Sequence, residues 1–173
     1  MKSSHSSPAI SPRRSPASPA SSTIKRVTTR RAFSVSIFCR NAGAVLLVRH
    51  RRLVVWIPVG GEIEPGETPL EAAVRELREE TGFDGEFPAG LGVQGTPPGL
   101  IGYEEHLAGS KGLHMNFAFV ADVPSREVAR CDEFDDVRWV TSGAEVECPE
   151  NVRQLIPLAL AAPSVSESVR LPL

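Results

Sequence analysis

Apolar positions fall into short, separated runs, mostly with the spacing of strands and twice with that of a helix. Phe33 to Phe38 alternates apolar and small polar side chains, the two-residue period of a half-buried strand. After a turn signal at Asn41-Ala42-Gly43, Ala44 to Val48 is continuously apolar, as in a strand covered on both faces. Leu53 to Ile57 reads as another buried strand, leading into the turn-rich Pro58-Val59-Gly60-Gly61. From Pro69 to Thr81 the period becomes helical, with Thr68 as N-cap, Pro69 at the first helical position, Glu71 completing a capping box and Gly82 as the stop. Residues 84–100, rich in Gly and Pro, predict loops with one short strand. Ile101–Leu107 and Leu113–Val123 predict two strands joined at Ala108–Gly112, and Val137–Val140 a short one. Asn151–Ala162 predicts a second helix, which Pro157 should kink or shorten. Strands mixed with two helices give an α/β (α+β) class: a mixed β-sheet sandwiched between α-helices, in one domain over residues 33–162.

Charge refines this picture. Residues 1–32 hold seven Lys/Arg and no acid, leaving 12 Lys/Arg against 21 Asp/Glu in the remainder. The Ser/Pro/Arg-rich stretch offers little to bury and reads as a disordered tail; its composition also fits an organellar transit peptide. Residues 163–173 read as a frayed end. A folded part this acidic is a poor general nucleic-acid binder but suits a divalent cation bridging it to an anionic substrate. No apolar run reaches membrane-spanning length and no secretory signal precedes the fold, so a cytoplasmic location and no membrane partner are expected. Cys39, Cys131 and Cys148 lack metal spacing and read as reduced thiols.

The chemistry concentrates in Gly61–Phe83, GEIEPGETPLEAAVRELREETGF. At about 100° per residue, Glu76, Glu79 and Glu80 share an arc of about 100°. Ala73, Leu77, Leu70 and Val74 fall beside them as the expected docking stripe, with Arg78 and Glu71 opposite, in solvent. Helical spacing alone leaves two readings open, a solvated acidic face or a site for a hard cation such as Mg²⁺ or Mn²⁺.

The full pattern resembles the Nudix box, G-x5-E-x7-R-E-U-x-E-E-x-G-U with U apolar. Gly61, Glu67, Arg75, Glu76, Leu77, Glu79, Glu80, Gly82 and Phe83 fill it without mismatch. Chance agreement at nine positions is on the order of 10⁻⁹ per start site. The box covers 23 residues, and the flanking elements extend the resemblance loosely over 33–162. The resemblance implies the Nudix fold and hydrolysis of a pyrophosphate bond in a nucleotide-derived small molecule. It implies Mg²⁺, with Mn²⁺ as an alternative, held by Glu76, Glu79 and Glu80 and the Gly61 carbonyl. It places Glu67 behind them, tied to Arg75. A carboxylate would act as general base: a box glutamate, or one of Glu104, Glu105, Asp132 and Glu133, with Glu133 favoured. It also allows a homodimer, which nothing in the sequence specifies.

Other residues carry weaker signals. Arg49, His50, Arg51 and Arg52 form a basic run just before the glycines and suit either phosphate contacts, Arg49 and Arg51 foremost, or a solvated turn. Gly60 and Gly61 let backbone approach a phosphate. Tyr103 and Phe117 are candidate stacking partners for a base, His106 and His114 candidate pocket walls, and Trp56 and Trp139 core residues. Pro97-Pro98 lies where ADP-sugar-cleaving Nudix members carry a proline, tilting the expected substrate toward ADP-ribose or nucleotide sugars over (d)NTPs; a simple turn accounts for it equally. A non-catalytic nucleotide sensor would have lost box glutamates, and all are present. An RNA-processing enzyme is disfavoured by the acidic fold. Deleting residues 1–32 is expected to leave turnover intact.

Overall fold

The computed structural model describes residues 29–90, 93–129 and 131–165. Residues 1–28 of the tail expected over 1–32, and residues 166–173 of the end expected to fray, lie outside the described residues. Six strands form one sheet: β1 (Arg31–Asn41), β2 (Ala44–His50), β3 (Trp56–Ile57), β4 (Leu100–Leu107), β5 (Leu113–Asp122) and β6 (Phe134–Val140). The path runs β3-β2-β1-β5-β4, with β6 on β2. β1 and β5 are parallel over ten paired positions, and the other pairs are antiparallel. Helix α1 (Pro69–Thr81) covers one face, where Val35, Ile37, Cys39, Phe119 and Ala121 meet Ala72, Ala73 and Leu77. Helix α2 (Glu150–Ala161) covers the other, burying Val152, Leu155, Ile156 and Ala159 on Phe38, Val45, Leu47 and Val120. The expected sandwich is therefore observed.

α1 has the ends its sequence specifies. Thr68 accepts from the Glu71 N–H, Glu71 reaches back to the Thr68 N–H, and Gly82 closes the helix in the left-handed region at φ 75°. Its buried arc is shifted from the expected stripe. Ala72, Ala73, Leu77 and Glu80 are buried, while Val74 is 36% exposed. The docking face is thus centred on the carboxylate edge, because the narrow side chains of Ala72 and Ala73 let the helix approach the sheet there.

Four further expectations are corrected. Leu53–Ile57 is no buried strand: Leu53 and Val54 are 59% and 57% exposed, and only Trp56–Ile57 pairs with β2. The chain must reverse here to return beside β2. Val54 takes φ 56°, and the His50 carbonyl accepts its N–H. β1 starts at Arg31, so a boundary at Phe33 falls inside the strand. Pro157 does not end α2, which runs on to Ala161 with Pro157 on its exposed side while its apolar face holds it to the sheet. Nor is the start of the C-terminal segment loose: Arg40, 8% exposed, donates to the carbonyls of Ala159, Ala162 and Pro163 and pairs with Asp122, which accepts the Val165 N–H. No described helix is long and apolar enough to cross a membrane.

Candidate active site

β1 and β2 stay paired only at Arg40–Val45 and Asn41–Ala44, then diverge. Residues 56–62 fill the fork, pairing with β2 through Trp56–Ile57 and with β1 through Val59 and Glu62. The Ile37 N–H donates to the Val59 carbonyl (2.8 Å) and the Val35 N–H to that of Gly61 (2.9 Å). Gly60 and Gly61 are required by crowding. A Cβ on Gly60, whose φ is 148°, would lie 2.2 Å from the Val35 carbonyl oxygen. One on Gly61 would lie 2.2 Å from Glu76 Oε1, so the missing side chain lets that carboxylate lie on the loop backbone.

Arg75 ties helix to loop. Its Nε and Nη2 donate to the two Glu67 oxygens (2.7 and 3.0 Å), Nη2 also to the Glu62 carbonyl (3.1 Å), and Nη1 to Glu76 (2.7 Å) and Glu79 (3.3 Å). Glu67 also accepts the Glu64 N–H. Arg75 foremost, then that N–H, hold Glu67 down to about 2, so it stays ionised. The link between Glu67 and Arg75 that the box implied is present.

Glu80 is only 7% exposed. Burial, then the charges of Glu76 and Glu133, push its carboxyl up to about 8, against the opposing Gly60 N–H. Burial also raises Glu76, with Arg75 opposing and Glu79 and Glu133 adding to the rise. Glu79 is the exposed member of the three. Glu133 precedes β6, where its carbonyl accepts the Arg51 N–H (3.1 Å) and the Phe134 carbonyl accepts Arg51 Nε (3.2 Å). The fold thus brings Glu76, Glu79, Glu80, Glu133, Gly60 and Gly61 together at the fork, with Arg51 attached to Glu133. Two partly desolvated carboxylates, both raised by burial and by the charges of Glu79 and Glu133, are the donor chemistry a hard divalent cation neutralises. Among the described residues no three acids already form a cage, and Glu76 Oε1 is taken up by Arg75.

Other sequence candidates lie elsewhere. Arg49 pairs with Asp135 (3.4 Å). Glu104 holds His106 (3.0 Å), and Glu105 accepts the Tyr103 hydroxyl (2.7 Å). These β4 acids are engaged three strands from β2, with β1 and β5 between, whereas Glu133 acts electrostatically on the box. Tyr103 packs on Phe117 (5.4 Å between centroids), on β4 rather than at the fork. Trp56 is buried, with the Arg138 guanidinium over its ring. Sequence reading missed Arg30 and Glu62, which form a bidentate ion pair beside the loop. Glu62 occupies an unspecified box position and Arg30 sits in the apparent tail, so no local signal pointed to them.

A family model for the NUDIX domain matches residues 28–154. The chain belongs to the Nudix family. Among curated Nudix relatives, a Bacillus subtilis (strain 168) protein provisionally named 8-oxo-dGTP diphosphatase is 43% identical over 63 residues, 36% of this chain and 41% of that one. An RNA pyrophosphohydrolase of Xanthomonas oryzae pv. oryzae (strain MAFF 311018) is 32% identical over 125 residues, 64% of this chain and 59% of that one. The chain therefore spans less than two thirds of either. A NUDIX-family hydrolase structure from Clostridium perfringens superposes with a TM-score of 0.66 at 25% identity, covering 76% of this chain and 97% of that one.

Proposed function

We propose that this Nudix chain hydrolyses the pyrophosphate linkage of a nucleoside diphosphate derivative with the help of Mg²⁺, for which Mn²⁺ can substitute. The observation carrying this reading is the desolvated Glu76–Glu80 pair against Gly60–Gly61, with Glu133 in electrostatic reach. Glu76, Glu79, Glu80 and the Gly61 carbonyl would hold the cation. When bound, it polarises phosphate oxygens and acidifies water. The residues supply the rest. Arg75 fixes the Glu67 loop and Glu76 in one register, so the donors need little reordering. Glu67, locked as an anion, keeps Arg75 in place. Glu133, set beside Arg51, is the favoured carboxylate to take a proton from water, with a box glutamate as the alternative. Arg51, with its exposed neighbour Arg52, offers cations to the substrate phosphates, and Arg49 stands beside them paired with Asp135.

ADP-ribose and nucleotide sugars head the candidate substrates, on Pro97-Pro98. That pair leads into β4 in a turn closed by the Leu100 N–H to the Pro97 carbonyl, so its local role is to shape the chain. A second reading, hydrolysis of a nucleoside triphosphate, draws on the relative named for 8-oxo-dGTP. The test is a phosphate-release screen with Mg²⁺ over ADP-ribose, nucleotide sugars, dinucleotides and (d)NTPs, with Glu80→Gln as control. Turnover of one class, abolished in the variant, supports the assignment and selects the leaving group. Tight binding without turnover would replace the enzyme by a nucleotide sensor.

A further inference from the structure

The catalytic loop contains two adjacent glycines, and such backbone stays ordered only if neighbouring groups fix it. Arg75 supplies one restraint from inside the box, through the Glu62 carbonyl. The second comes from outside it. Arg30 Nη1 donates to Glu62 Oε1 (2.7 Å) and Nη2 to Glu62 Oε2, a fork-to-fork pair. Arg30 is itself anchored: its carbonyl accepts the Leu113 N–H (2.8 Å), and its Nη1 also donates to the Lys111 carbonyl (3.2 Å). Gly112, at φ 96°, makes room for it, since a Cβ there would lie 2.2 Å from the Arg30 carbonyl oxygen. Under the Glu62 carboxylate lies His114, 8% exposed, with Nε2 3.7 Å from Oε1 and without a hydrogen-bond partner. Arg30 thus sets which way the carboxylate of Glu62 faces, while Arg75 holds the same residue's backbone.

We infer that Arg30 is a positioning residue: through Glu62 it braces the Gly60–Gly61 loop against Glu76, making the segment just before β1 part of the active-site scaffold. The restraint passes along a short path. Glu62 follows Gly61, whose carbonyl is held by Val35 and whose α-carbon abuts Glu76. A loop displaced here moves the surface on which Glu76 lies, and small misplacements of catalytic donors cost large factors in rate. Removing residues 1–32 would delete this brace along with the tail, against the expectation that such a truncation is silent; removing residues 1–28 would spare it.

The test compares the full chain with Arg30→Ala, Arg30→Lys, Glu62→Gln and the Arg30→Ala/Glu62→Gln double variant. Amide hydrogen exchange across residues 59–63 is read alongside Tm, and kcat and KM are taken on the substrate found in the screen. Arg30→Ala and Glu62→Gln should each speed exchange of the Ile63 amide, which is bonded to Phe33, by about tenfold while Tm stays within about 3 °C. Each should lower kcat by about tenfold with KM little changed. The double variant should be no worse than either single one, and Arg30→Lys should recover part of both losses. Unchanged exchange at residues 59–63, or losses that add in the double variant, would overturn the brace. The kinetic part rests on the proposed hydrolase activity; if the chain turns over no substrate, that reading fails and the exchange data still decide the brace.

Discussion

Removing the charge of Glu80 should make the metal-free protein more stable while destroying its activity. The carboxyl is buried at the fork, and its proton affinity is raised from an ordinary value of 4.5 to about 8, first by burial and then by Glu76 and Glu133. In the unfolded chain it ionises near 4.5; in the native state it resists until about pH 8. The native state therefore binds the proton more tightly, so stability is full below pH 4.5, falls as pH rises through this window and levels off above it. At pH 7 the cost is on the order of 3 kcal/mol, which for a domain of this size is roughly 10 °C in Tm. Glu80→Gln removes the ionisation and keeps the shape. Urea and thermal melts of both proteins, in chelator, at pH 4.5 and pH 7.5, give the difference directly: near zero at the lower pH, and in the variant's favour at the higher. Added Mg²⁺ should narrow the gap, since ligation favours the native, ionised wild-type site. A variant equal to or less stable than wild type at pH 7.5 in chelator would refute the claim that Glu80 is held at the fork against its own charge.

Other consequences can be checked separately. Gly61→Ala places a methyl group 2.2 Å from Glu76 Oε1 and should lower kcat by about a hundredfold with the circular dichroism spectrum retained. Glu133→Gln removes a like charge, so the Glu80 carboxyl should titrate below about 8 in a carbon-13 NMR titration; an unmoved titration would take Glu133 out of the site. Arg40→Ala leaves Asp122 and three carbonyls without their buried partner and should cost about 3 kcal/mol by urea midpoint, with turnover per folded molecule unchanged.

What the sequence made legible was whatever is written locally. The ends of α1 depend on Thr68, Pro69, Glu71 and Gly82, all within a turn of the positions they act on, and they appear as read. The box glutamates were legible as a set because the spacing itself carries the chemistry. Properties set by distant packing were not. The wheel placed Glu76 and Glu80 beside the docking stripe, but only the approach of α1 to the forked sheet shows Glu80 inside the buried face and Val74 outside it. Leu53 and Val54 are as apolar as a core strand, yet the need to reverse direction before β3 outweighs their preference. Arg30 looked like tail because its partner, Glu62, stands 32 positions away.

The parallel ladder between β1 and β5 bears on how the chain is made. Ser34 bonds to Asn116, 82 positions later, and every rung has a comparable separation. At about 5–20 residues per second, a ribosome needs roughly 4–16 s to supply the second strand after the first has emerged. For that interval β1 keeps this hydrogen-bonding edge open to the cell, while β2, residues 56–62 and α1 are already available to cover its other edge and one face. Slowed translation across residues 42–122 lengthens this exposure, so synonymous codons there are expected to change the yield of folded protein without altering its sequence.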